Sequence, residues 1–332
     1  MPSAKSSLKD YDRLSHRIRQ HQQIDKKPIL VVEGESDKRL IDRLTDGAWT
    51  IFIASTRNNV TTSVGECLGL QLPRVAGLID RDFDDHYENA CTAGKLPVFS
   101  YDEADMEAAI IKGPWLGILL GELCSTVKLK HRGGVEAVRK RVIDIARVCG
   151  ELRKLDKAHR WGIDFKKLDF ARKVDPATLT LNVESLLDAI GNRVDPCDRK
   201  NFRSETSELK VETCNQRLFR GKDALSVLCV AFKKFIATSK SPDVEFLAGS
   251  LRATVDKSFL QITPFPAIFH FFEQAPSQDH SPSRSHVPMP RTPELVTDSD
   301  QNFLFSQSDL SSAVEIGVRD YRGRLRYRLD TH

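Results

Sequence analysis

The chain has 332 residues, 40% of them hydrophobic and spread along its length, enough for one large domain with additions or two smaller ones. No apolar run is long enough to cross a bilayer, and the polar opening MPSAKSSLKDYDRLSHRIRQHQQ lacks the apolar core of a secretory signal, so the expectation is a soluble cytoplasmic protein with no membrane partner. The net charge of +4 does not by itself require a nucleic-acid partner, but the positive charge is clustered.

A basic segment, 1–27, precedes the first apolar run. Residues 28–112 then alternate short apolar runs with amphipathic stretches. PILVVEG reads as a buried strand, SDKRLIDRL as a helix with Ser36 as its N-cap, and AWTIFIAS as a second strand. NVTTSVGECLGLQL follows as a helix, RVAGLIDRD as a third strand and LPVFSYD as a fourth, leading into EADMEAAIIKG. Strands alternating with helices predict an α/β fold, a parallel sheet with flanking crossover helices, with active residues at the carboxyl ends of the strands.

Residues 113–273 read as a mainly α-helical region. Val135, Val138, Val142, Ile145, Cys149 and Leu152 recur at helical spacing, with Arg139, Lys140, Arg141, Arg147, Arg153 and Lys154 on other faces. That basic helix could track a nucleic-acid backbone, dock a partner protein, or be solvated and internally paired, as by Glu136 with Lys140. VESLLDAIGN and KDALSVLCVAFKKFI supply further helices. Residues 274–332 open with a Ser/Pro-rich stretch with little to bury, expected to be disordered. They end in RDYRGRLRYRL, an arginine and tyrosine tail whose composition suits RNA contact, though a frayed basic tail is the default. Seven scattered cysteines lack the close pairs that zinc sites use and read as reduced thiols, mostly filling cores. No Gly-Lys-Ser/Thr loop is present, so the chain is not expected to hydrolyse ATP by itself.

The chemistry gathers in acidic residues. Glu33 ends the first strand, and Asp80 and Asp82 end the third; if that strand continues through them, both aspartates point to one side. Three carboxylates at one sheet edge repel one another unless a cation intervenes, and hard oxygen ligands select Mg²⁺ or Mn²⁺. Such a site suits phosphodiester hydrolysis, with a remaining carboxylate as general acid or base. Glu35 and Asp37 read as acids that favour a helix N-terminus.

VVEGESD followed by GLIDRDFDD resembles the Toprim family, found in topoisomerases, primases and OLD-type nucleases. The resemblance implies that Glu33 is the acid/base residue and that Asp80 and Asp82 bind Mg²⁺. With YDEADMEAAI, WGIDFKKLDF and FRGKDALSVL added, the chain is similar to the Toprim effectors that accompany an ABC-type ATPase in bacterial anti-phage defence, the AriB-like effectors of PARIS systems. That likeness brings in Glu107 as a further catalytic or metal-binding acid and Asp105 as a further metal ligand, with Ala108 standing where those proteins carry asparagine. Lys222 is a candidate phosphate-binding lysine, against a solvated lysine at a helix terminus.

The resemblance implies a Mg²⁺-dependent endonuclease, a toxic effector of abortive infection that is restrained by the ATPase sensor subunit, cleaves host tRNA and forms a homodimer when active. Two alternatives remain: an OLD-like nuclease that nicks DNA, and a non-catalytic Toprim adaptor that binds the ATPase.

Overall fold

The computed structural model describes residues 13–83, 96–165, 170–236 and 242–275. All lie within Met1–Ser281, the first of the two units into which the chain divides; the Ser/Pro-rich segment from 276 and the basic tail lie outside the described residues, as do Cys91 and the middle of WGIDFKKLDF.

Four apolar runs form strands, β1 (Ile29–Val32), β2 (Thr50–Ile53), β3 (Val75–Ile79) and β4 (Val98–Ser100). They make an all-parallel sheet in the order β2-β1-β3-β4, with Val32 paired to Ile53 on one side and Leu78 on the other. All of β1 and β3 is buried, as expected for a parallel sheet covered on both faces. Alternation along β1 divides its side chains between two cores. Ile29 and Val31 pack with Ile18, Val60, Val64 and Cys67 from α1 (Leu14–Ile24) and α3 (Arg57–Gly69). Leu30 and Val32 pack with Leu40, Ile41 and Leu44 of α2 (Glu35–Leu44), in a cluster that continues through the helical region.

The N-terminal segment thus contributes a helix to the sheet's cover. Ser15 Oγ of α1 donates to Glu66 Oε2 at 2.6 Å, and Gln22 Nε2 donates to the Pro73 carbonyl at 2.7 Å. Ser36 is not the N-cap of α2; Gly34 holds that position, and the helix begins two residues earlier than a cap at Ser36 implies.

The helical region comprises α4 (Met106–Lys112), α5 (Trp115–Leu123), α6 (Thr126–His131), α7 (Gly134–His159), α8 (Val183–Gly191), α9 (Arg199–Thr206), α10 (Gly221–Val230), α11 (Val244–Thr254) and α12 (Phe265–Gln274). A small antiparallel hairpin, β5 (Val174–Asp175) and β6 (Thr180–Leu181), precedes α8. The stretch expected as one helix, KDALSVLCVAFKKFI, is α-helical to Val230 and widens into a π turn over Ala231–Phe235.

Along α7 the expected apolar stripe is buried at Val138, Val142, Ile145, Cys149 and Leu152, joined by Ile143, Ala146 and Val148. Much of its basic flank is tied inward. Arg153 Nε and Nη2 donate to the two carboxylate oxygens of Asp223 on α10, each at 3.0 Å, and its guanidinium lies 4.3 Å from the centroid of the Phe165 ring. The expected Glu136–Lys140 pair is replaced: Glu136 pairs with Arg139, and Lys140 Nζ donates to Asp144 Oδ2 at 2.6 Å. Among the described residues, no helix is long and apolar enough to cross a membrane.

Candidate active site

In the order β2-β1-β3-β4 the chain reverses its direction of winding after β2, so the crevice beyond the carboxyl ends of β1 and β3 is the topological switch point where such sheets bind ligands. Glu33 follows β1 and Asp80 follows β3. The Asp80 backbone N–H donates to Glu33 Oε1 at 3.0 Å, closing the crevice across 47 residues of sequence. Burial raises the Glu33 pKa, opposed by that amide and by the Arg57 guanidinium.

Asp37 lies in the first turn of α2 as expected, and it also belongs to the acidic site. Its carboxylate sits over Gly34, where an added Cβ would come within 3.3 Å of Oδ2. Burial, with the charges of Glu107 and Glu33 adding to it, pushes Asp37 up to about 7. Asp80 is held well above the usual carboxylate range by burial and then by Asp105, Asp37, Glu33 and Asp82.

Strand β3 stops at Ile79, so Asp80 and Asp82 are not successive side chains on one strand face. Asp82 adopts φ 52°, its N–H donates to the Ala104 carbonyl at 2.8 Å, and its side chain is 58% exposed. Arg57, at the first position of α3, bridges the pair: Nη2 donates to the Asp80 carbonyl at 2.7 Å and to Asp82 Oδ2 at 2.5 Å.

The other wall is built where α4 meets α10. Asp105 caps α4, with Oδ1 accepting from the Ala108 N–H at 2.8 Å. The N–H of Gly221, the first residue of α10, reaches Oδ1 at 3.0 Å and Oδ2 at 2.9 Å. Burial and the charge of Glu107 push Asp105 up to about 7 against these amides. Glu107 accepts from Arg252 Nη1 of α11 at 2.7 Å. Tyr101, just past β4, is buried, and its hydroxyl has no hydrogen-bond partner among the described residues. Burial and the charges of Asp37, Asp80, Glu107 and Asp105 drive its phenol far up.

Glu33, Asp80, Asp82, Asp105 and Glu107 therefore come to one region of the fold. Lys222 is exposed in the first turn of α10, one residue past the Asp105 contact. Asp37, Tyr101, Arg57 and Arg252 join the site without having been singled out for it. Asp37 followed Glu33 within one turn and could have been found on that spacing; Arg57 and Arg252 carried no local signal.

The donor set is chemically apt for a hard divalent cation: carboxylates whose pKa values are raised partly by one another, beside an unpartnered phenol. As placed, the acids are held by the protein's own donors. Asp82 is taken by Arg57, Glu107 by Arg252 and Asp105 by two amides. Among the described residues no group of three or more His, Cys, Asp or Glu is arranged to hold a metal ion.

The described cysteines are all free thiols, with Cys67, Cys149 and Cys229 buried in the packing and Cys197 exposed. No protein-family model matches the chain, and no curated protein matches it.

Proposed function

We propose that the chain is a Toprim-type, Mg²⁺-dependent endonuclease, acting as the toxic effector of an anti-phage system under an ABC-type ATPase, with host tRNA as substrate. The observation that carries this reading is the contact of the Asp80 N–H with Glu33 Oε1 at 3.0 Å, which joins the ends of β1 and β3 at the switch point. A cation would have to draw Asp80, Glu33 and Asp37 together from their present positions, which do not form a three-acid group around one point, and would supply charge stabilisation to a phosphoryl oxygen and its leaving group. With a pKa raised by burial, Glu33 can exchange a proton closer to neutrality than an exposed carboxylate. Arg57 fixes the Asp80–Asp82 turn through the Asp80 carbonyl and the Asp82 carboxylate. Exposed Lys222 supplies a point charge for substrate phosphate.

The test compares wild type with Glu33→Ala and Asp80→Ala, each expressed with the ATPase and challenged with phage, reading growth, small RNA on a denaturing gel and plasmid topology. Arrest with tRNA fragmentation in wild type alone supports the proposal. Nicked plasmid beside intact tRNA transfers the activity to DNA. Equal arrest by all three chains removes the acidic site from the effector mechanism.

The internal pairing of Asp82, Glu107 and Asp105 favours a second reading, a non-catalytic adaptor whose acids hold the fold together. That adaptor would bind the ATPase equally well with or without Glu33→Ala.

A further inference from the structure

A second cavity of about 510 Å³ opens among α6, α7 and the β5–β6 hairpin, and no acidic residue of the β1–β3 crevice lines it. Arg132 and Arg141 line it, and both guanidinium groups lie against the one buried ring of Phe235, at 4.3 and 5.3 Å from its centroid. Among the described residues, their hydrogen-bond partners are backbone carbonyls. Arg132 donates to Ala177 at 3.2 Å and Phe235 at 3.4 Å, and Arg141 to Thr178 at 3.4 Å.

Among the described residues neither arginine has a carboxylate partner, whereas Arg139, Arg147 and Arg153 on α7 each do. Asp144, also in the lining, is already held by Lys140 Nζ at 2.6 Å and Arg147 Nη1 at 3.4 Å. Two like charges on one phenyl ring at the wall of a cavity, neither in contact with a carboxylate among the described residues, form a seat for an anion. Planar guanidinium groups present paired donors that match phosphate oxygens.

The rest of the lining speaks for more than bare phosphate. Ile145, Leu179, Leu181 and Val211 give the cavity an apolar wall, and the exposed carboxylate of Glu212 offers an acceptor for a hydroxyl or amino group. The volume falls in the range of about 300–1,000 Å³ typical of small-molecule sites. We propose that this cavity binds a small phosphate-bearing ligand of the nucleotide class, as a site separate from the acidic crevice. The proposal stands whether or not the crevice cleaves nucleic acid.

The experiment is calorimetric titration of the full chain in excess EDTA, which keeps divalent cations out of the acidic crevice. The probes are ATP, AMP, adenosine, inorganic phosphate, pyrophosphate and a short single-stranded RNA. Saturable nucleotide binding is expected at or below ~100 µM, with loss of about tenfold or more in Arg141→Gln and in Arg132→Gln, as removal of a charge-assisted hydrogen bond predicts. Arg141 is exposed, so its variant should fold normally, and Asp80→Asn should bind like wild type.

Phosphate and pyrophosphate binding as tightly as ATP would keep the anion seat and overturn the nucleotide class. The whole proposal is overturned if no phosphate probe saturates by ~1 mM. It is overturned equally if adenosine binds as well as AMP, if both arginine variants bind like wild type, or if only the RNA binds.

Discussion

Gly221 is the point where α10 is pressed against the acidic site, and Gly221→Ala tests that contact directly. A Cβ there would stand 2.4 Å from Glu107 Cβ, 2.6 Å from the Ala108 nitrogen and 2.6 Å from Asp105 Oδ1. Two of these three neighbours belong to the backbone or its first side-chain carbon and cannot swing away, so α10 must retreat from α4. Overpacking of this kind costs about 1–3 kcal/mol. Retreat also lengthens the hydrogen bonds from the Gly221 N–H to a buried carboxylate, worth about 1.5–3 kcal/mol. The variant should lose roughly 3–5 kcal/mol, which corresponds to a fall in Tm of about 5–9 °C for a unit of this size. Urea unfolding followed by far-UV circular dichroism and tryptophan fluorescence measures it. A double-mutant cycle with Asp105→Asn should show a coupling of at least about 1 kcal/mol between the sites. A Gly221→Ala midpoint within about 0.5 kcal/mol of wild type would refute the close approach.

Stability should depend on pH in an unusual direction. Asp37 and Asp105 have folded-state pKa values raised to about 7, so their contribution is fully present below the ordinary carboxylate range and is lost as pH rises through 7. The full penalty per group, reached above pH 7, is on the order of 4 kcal/mol. Without Mg²⁺ the chain should resist urea better at pH 5 than at pH 8, and Asp37→Asn should flatten that slope; an unchanged slope in the variant argues against a buried, charge-crowded Asp37. Arg57→Ala should tighten Mg²⁺ binding several-fold by removing a positive charge beside Glu33 and releasing Asp82, measured by calorimetry; an unchanged affinity counts against a guanidinium that competes with the cation for this acidic site. Arg153→Ala should cost about 2–4 kcal/mol through the loss of its paired bonds to partly buried Asp223, with Arg153→Lys restoring little of it in the same urea titration.

Much of the α/β core was legible because apolar runs in a doubly covered parallel sheet leave a strong local pattern, and Glu33 and Asp80 followed from which strands they terminate. The mutual placement of Asp80 and Asp82 was not legible. It depends on β3 ending at Ile79 and on a left-handed residue at Asp82, which hydrophobic periodicity does not encode. Asp37 was visible but read only as a helix-terminal acid, since its desolvation and the nearby charge of Glu107, a residue from a distant part of the chain, arise only in the folded structure. Arg252 meets Glu107 across 145 residues of sequence, and Gly221 meets Asp105 across 116; such pairs exist only once the helical region has closed over the sheet.

The clasp of Asp105 by the first residue of α10 bears on how the protein can be divided. The segment 28–112 looks like a self-sufficient module, yet cutting there would take the Gly221 amide from Asp105 and the Arg252 guanidinium from Glu107. Two acids of low solvent access would be left without their distant donors, and the apolar cluster that runs from the sheet into the helical region would be cut open. The excised fragment should therefore be recoverable only when the remainder is supplied alongside it. This makes the chain suited to fragment complementation, in which restored solubility and not catalysis reports that the two pieces have met.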